Sequence, residues 1–216
     1  MHRPLAPEDR VVGRTCNDAV VDKEPGRAAP LYSTTELSDT VRQEPICTLR
    51  STAFLRSEGG LGSFGSPPRT PSAVPDRAPD SICERPVSSQ AALLYRLNGD
   101  FNPLHADPVI AREAGFDRPI LHGLATYSAA GYSIVRMLCN GEAERLKRLD
   151  ACFTAPVYPG ETLRTEVWQL GPGRIAFRAQ AVERNLVALN NGVAEYDVGW
   201  SGSAGLRKQH HRTRPS

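Results

Sequence analysis

The sequence predicts an α+β chain in which one long helix lies against a curled antiparallel sheet. Three observations lead there. Small and apolar residues recur at spacings of three and four between Gly123 and Cys139. Downstream of that stretch, short segments alternate apolar and polar side chains, with turn residues between them. Upstream, residues 11–58 are rich in strand formers and carry no helical stripe.

The first part opens with Val11-Val12 and continues through Thr34, Leu37 and Val41 to a strand over Ile46–Leu55. Pro25-Gly26 reads as the turn between two strands. Strands without a covering helix cannot bury both faces of a sheet. They need a further element, from this chain or from a partner. Residues 61–80 read as a linker: Gly59-Gly60-Leu61-Gly62 leads into Pro67-Pro68, Pro71, Pro75 and Pro79. Four segments are therefore expected: strands over 1–60, a Gly/Pro-rich linker over 61–80, a complete unit over 81–200, and a basic disordered tail over 201–216.

Within the complete unit, Ser88 is expected to cap a short helix that ends at Gly99. Asp107-Pro108 starts a second helix, because an acceptor side chain precedes a first-turn proline; Gly115 stops it. The long helix follows from Gly123 to about Cys139, with Asn140-Gly141 as its exit. Seventeen residues at 1.5 Å each span roughly 25 Å. Gly131 in its middle costs about 1 kcal/mol as an isolated choice, so close packing is expected there. Strands then follow at Leu149–Thr154, Leu163–Trp168 and Arg174–Ala181, the last two joined by Gly171-Pro172-Gly173. Asn190-Asn191-Gly192 reads as another turn before Val193–Val198.

Composition excludes several classes. A net charge of +2 is too small to argue for nucleic acid. No run of 18 apolar residues is present, so no membrane span is expected. Residues 1–10 lack an apolar core and do not read as a secretory signal, and Arg214-Pro215-Ser216 is not the usual peroxisomal tripeptide. The five cysteines are widely spaced and suit reduced thiols in the cytoplasm. His2, His105, His122, His210 and His211 form no metal-spaced set, so neither metal nor cofactor is expected.

Chemistry is expected between the two short helices and at the start of the long one. Asp100 and His105, separated by a loop that Pro103 stiffens, are a carboxylate–imidazole pair able to hold one water. Gly123 begins the long helix, and its free N–H is a candidate oxyanion donor. Each residue taken singly also has a structural reading. Asp100 suits a cap or turn, His105 and His122 suit hydrogen-bonded supports, and Asn98 and Asn102 suit turns. Asp107 reads as a cap. Spacing alone leaves these alternatives open.

The stretch Tyr95–His105, Asp107-Pro108 and Gly115-Phe116-Asp117-Arg118-Pro119-Ile120-Leu121-His122-Gly123-Leu124 resembles the hydratase 2 motif of MaoC-like dehydratases. Tyr158–Leu163 is similar to the turn before that family's later strands. The resemblance implies a hot-dog fold, a long helix wrapped by an antiparallel sheet. It implies reversible hydration of trans-2-enoyl-CoA to (3R)-3-hydroxyacyl-CoA, with Asp100 and His105 activating water and Gly123 donating to the thioester oxygen. Asn102, Asn98 and His122 are expected to order the loop or bind substrate. Arg112, Arg118 and Lys147 are candidates for the CoA phosphates. Ala125 and Ser128 replace the Cys and Gly expected after His-Gly-Leu, both small for small. Residues 52–60 resemble the last strand of the N-terminal hot dog in two-domain relatives, so this chain is expected to begin partway through such a half. The resemblance also implies a homodimer, or a heterodimer with another hot-dog chain. A thioesterase and a non-catalytic acyl-thioester-binding subunit are the alternatives.

Overall fold

The computed structural model describes residues 1–6, 8–56, 59–68 and 72–198; the expected basic tail lies outside the described residues. The chain divides into two compact units, Met1–Thr70 and Pro71–Ser216.

The first unit is a four-stranded antiparallel sheet in the order β3-β2-β1-β4, with β1 Val11–Val20, β2 Ala29–Asp39, β3 Pro45–Leu55 and the two-residue β4 Phe64–Gly65. Gly26, at φ +78°, turns β1 into β2 where Pro25-Gly26 was expected to. No helix occurs among its described residues. Few of its residues are buried, among them Ala19 and Ala29 toward one end of the sheet and Ile46 at the other. At one end Arg3 donates to Asp9 (2.8 Å) and Asp39 (2.9 Å), tying the N-terminal segment to the sheet. That contact holds the Asp9 carboxyl down to about 2.

The expected linker is divided between the units. Its first residues belong to the sheet: Asp22 accepts from the N–H groups of Gly60 (2.6 Å) and Gly62 (2.5 Å), and β4 pairs with β1. Its last residues pack on the second unit. There Arg77 and Asp80 pair at 2.7 Å, Asp80 accepts from Gln169 N–H at 2.7 Å, and the buried Trp168 indole donates to the Arg77 carbonyl at 2.8 Å.

The second unit has the expected α+β form. Its five-stranded antiparallel sheet runs β5-β7-β8-β9-β6, with β5 Ser81–Pro86, β6 Leu146–Phe153, β7 Thr162–Gly171, β8 Arg174–Ala181 and β9 Leu186–Tyr196. The long helix α3, Gly123–Leu138, packs on β5, β6 and β7. Ala130 and Ile134 from the helix meet Leu163, Val167, Ile175 and Phe177 in one core. A Cβ on Gly131 would stand 2.9 Å from a methyl of Leu149, so its absence lets helix and sheet approach. No helix among the described residues is long and apolar enough to cross a membrane.

Two expectations are corrected. Strand β5 was not anticipated. It is six residues at a sheet edge, ends in Pro86, and shows only Ile82 and Cys83 as apolar signal. Asn190-Asn191-Gly192 is not a turn but lies inside β9, where the register with β6 and β8 slips. Asn191 takes the left-handed conformation (φ 50°), and Gly192 faces the Phe177 ring, where a Cβ would stand 2.5 Å away. Asn-Gly here marks a bulge beside a large core side chain. The actual reversal passes through Asn185, at φ 48°.

Candidate active site

The site is assembled from two short helices, a stiffened loop and the start of α3. Helix α1, Ala91–Tyr95, runs into a 3-10 turn, Arg96–Asn98, and ends at Gly99 in the left-handed region (φ 104°). Ser88 does not cap this helix as expected: the N-cap is Gln90, without a side-chain cap, and Ser88 accepts from Gln90 N–H at 3.1 Å in the turn ahead of it. The Asn102 side-chain Oδ1 accepts from Leu104 N–H at 3.0 Å and caps a second 3-10 turn, Pro103–His105. Asp107 then caps α2, Pro108–Glu113, by accepting from Val109 N–H at 2.7 Å. These local bonds make the loop a chain of side-chain-capped turns, which resists drift of the groups it carries.

That loop brings three expected residues together. Donor and acceptor atoms of Asp100, His105 and His122 lie within 4.8 Å of one another. Asp100 is exposed, and its carboxylate accepts weakly from Asn102 N–H at 3.3 Å. His105 is half-buried, and its Nδ1 lies 2.9 Å from the Ile120 carbonyl oxygen. A carbonyl only accepts, so Nδ1 carries the hydrogen and Nε2 of the neutral ring is the bare nitrogen. His122 stacks on His105, with ring centroids 3.7 Å apart and planes 25° apart, while Tyr95 lies against its ring at 4.7 Å. By the same logic His122 Nε2–H donates to the Asp100 carbonyl at 3.2 Å. Burial holds the His122 imidazole below its usual range, outweighing that bond, and the neighbouring His105 pushes the same way.

Asp, His and His together have the composition of a metal set. The geometry is unsuited to one. Two imidazoles stacked nearly parallel cannot both direct an in-plane lone pair at one ion, and each ring already commits one nitrogen to a carbonyl.

His122 caps α3 with an extended backbone, leaving the Gly123 N–H with no backbone partner among the described residues. A first-turn N–H at the positive end of a helix dipole can receive a developing oxyanion. A cleft of about 270 Å³ opens at this residue; Phe116, Ile120, Gly123, Thr126, Phe153 and Val157 are among those that line it. The Phe153 ring rests over Gly123, where a Cβ would stand 3.3 Å from it. Arg118, between two lining residues in sequence, stands over the Tyr158 ring at 4.9 Å. Arg184 takes Tyr158 at 4.8 Å while pairing with Glu161 at 2.5 Å.

Asn98 is exposed at the end of its turn, with no side-chain hydrogen bond among the described residues. Asn102 acts as a cap. Lys147 pairs with Asp197 at 3.0 Å, and Arg112 is exposed on α2. Sequence reasoning missed the Ile120 carbonyl and Phe153. The first is backbone and has no residue signature. The second reads as one more strand residue until the fold sets it beside Gly123.

Residues 71–191 match the family described as MaoC like domain. This chain belongs to the MaoC-like dehydratase family. It is 38% identical over 205 residues to a 3-hydroxyacyl-thioester dehydratase Y of Mycobacterium tuberculosis, covering 92% of this chain and 70% of that protein. It is 37% identical to a peroxisomal enoyl-CoA hydratase 2 of Arabidopsis thaliana, covering 88% of this chain and 63% of the relative. A crystal structure of a MaoC-like dehydratase from Phytophthora capsici superposes at TM-score 0.84 with 35% identity, covering 90% of this chain and 68% of that one. The chain thus spans about two thirds of the length of these relatives. Its fold is the hot-dog fold, and the solved neighbours include a double hot dog.

Proposed function

We propose that this MaoC-like chain hydrates trans-2-enoyl-CoA reversibly to (3R)-3-hydroxyacyl-CoA. The observation that carries the reading is the meeting of Asp100 and the bare Nε2 of His105 beside the unpartnered Gly123 N–H. A water making two contacts of about 2.8 Å at a tetrahedral angle bridges roughly 4.6 Å, and polar atoms of Asp100, His105 and His122 gather within 4.8 Å of one another. The enoyl thioester oxygen sits at the Gly123 amide, so electron density withdraws from the β-carbon. The bridging water adds its oxygen there while His105 Nε2 takes a proton. The same pair returns one proton to the α-carbon, so the elements of water are added with no net gain or loss of protons by the protein. The apolar cleft takes the acyl end, and Arg118, in sequence between the lining residues Phe116 and Ile120, suits a CoA phosphate. The (R) outcome follows from presenting water to a single face of the β-carbon.

Pairing with a second hot-dog chain, the same or different, is part of this reading. It is supported by the open edges of β5 and β6. A cytoplasmic setting is also part of it, although several relatives carry peroxisomal names.

The test is loss of the enoyl ultraviolet absorbance when pure protein meets trans-2-enoyl-CoA of several chain lengths, with chiral analysis of the product. Absorbance loss with (3R)-product supports the reading. No loss at any length, release of free CoA instead, or (3S)-product rejects it.

A further inference from the structure

We propose that His122 is a positioning residue rather than a substrate contact: its ring is the plate that fixes the catalytic loop against the start of the long helix. Three contacts converge on it. Its Nε2–H holds the backbone carbonyl of Asp100, so it sets where the carboxylate begins. Its face holds the His105 ring at 3.7 Å, and its other neighbour is the Tyr95 ring. Its own backbone precedes Gly123, the first residue of α3, and its carbonyl accepts from both Ala125 and Thr126 N–H at 3.1 Å. One residue thus ties the base, the carboxylate and the oxyanion donor into one body. At 1% exposure the side chain has no surface left to offer a substrate.

The arrangement also specifies the charge of the ring. His122 Nδ1 is buried with no hydrogen-bond partner among the described residues. A second proton there would bury an N–H without an acceptor, next to a base that must itself accept a proton during turnover. A neutral plate lets His105 become imidazolium; a charged one would oppose it. Lysine or arginine at this position is therefore expected to be worse than an uncharged residue. The Ile120 carbonyl fixes the tautomer of His105, and His122 fixes the plane in which that tautomer lies.

This inference rests on the hydration reading for its kinetic arm only. His122→Ala in the full chain is expected to lower kcat on trans-2-enoyl-CoA by about 10- to 100-fold, since a misplaced base loses that much, with KM changed by less than about threefold. His122→Gln retains a donor and His122→Phe retains a flat face; each is expected to recover part of the loss. A rise in KM with kcat intact, or kcat within about twofold of wild type in all three variants, overturns the proposal. The second arm needs no turnover. Nitrogen-15 spectra of the imidazoles are expected to show His105 as a single Nδ1–H tautomer in the wild type and as a mixture in whichever of the three variants folds with unchanged far-ultraviolet dichroism. A single unchanged tautomer in such a variant overturns the proposal. If the wild type fails to hydrate any enoyl-CoA while the spectra change as expected, the hydration reading falls and the positioning role stands.

Discussion

The two sheets of this chain are made of similar strands and meet different fates. In the first, β1, β2 and β3 run 10 or 11 residues each, yet Val11, Val12, Leu49 and Phe54 remain exposed. In the second, strands of similar length bury Leu163, Val167, Ile175 and Phe177 under α3. The difference is the covering layer, not strand propensity. A sheet gains its stability from what lies on its face, and among the described residues only the second unit carries its own helix. The proposed chemistry follows the same division, because Asp100, His105 and Gly123 all belong to the unit whose elements are locked by packing.

The sharpest way to break this comparison is to remove one phenylalanine from each sheet. Phe177→Ala, in the covered core, is expected to cost about 3–5 kcal/mol. Phe54→Ala, at 63% exposure, is expected to cost no more than about 0.5 kcal/mol. Denaturant unfolding of the whole chain measures both. A large loss at Phe54 would mean that another surface covers that face in solution. A smaller effect is expected at the bulge. Gly192→Ala places a methyl against the Phe177 ring and is expected to cost about 1–3 kcal/mol through overpacking. The same substitution at Gly62, where a Cβ would meet nothing within 4 Å, tests only backbone strain at φ +97°.

The smallest effect is in pH. Burial lowers the folded-state pKa of His122, among Asp100, His105 and Arg96. A histidine whose folded value is depressed contributes stability that is present above the unfolded value, about 6.5. That stability is lost as pH falls through the folded value. Thermal midpoints are therefore expected to decline on the acid side of about 6.5, and to decline less in His122→Phe. Equal slopes in both proteins would place the acid sensitivity elsewhere.

Much of this was legible in the sequence, for identifiable reasons. Asp107-Pro108, Gly115 and Asn140-Gly141 announced helix ends because capping chemistry is local. Gly171-Pro172-Gly173 announced its hairpin for the same reason. Asn190-Asn191-Gly192 misled because a left-handed asparagine serves a bulge as well as a turn, and only the Phe177 ring across the strand distinguishes them. β5 was missed because an edge strand needs few apolar residues. At the site, the spacing of Asp100 and His105 suggested a pair, but their approach depends on a 22-residue reach from His122 back to Asp100. The tautomer of His105 depends on a carbonyl that sequence cannot show.

The central claim is that Asp100 and His105 act on one water in the second unit. The turnover number of Asp100→Asn on trans-2-enoyl-CoA tests it most directly, because asparagine keeps the size of the side chain and removes only its charge and basicity. A fall of about 10²-fold or more, with far-ultraviolet dichroism unchanged, is the predicted result. Turnover close to that of the wild type would contradict it.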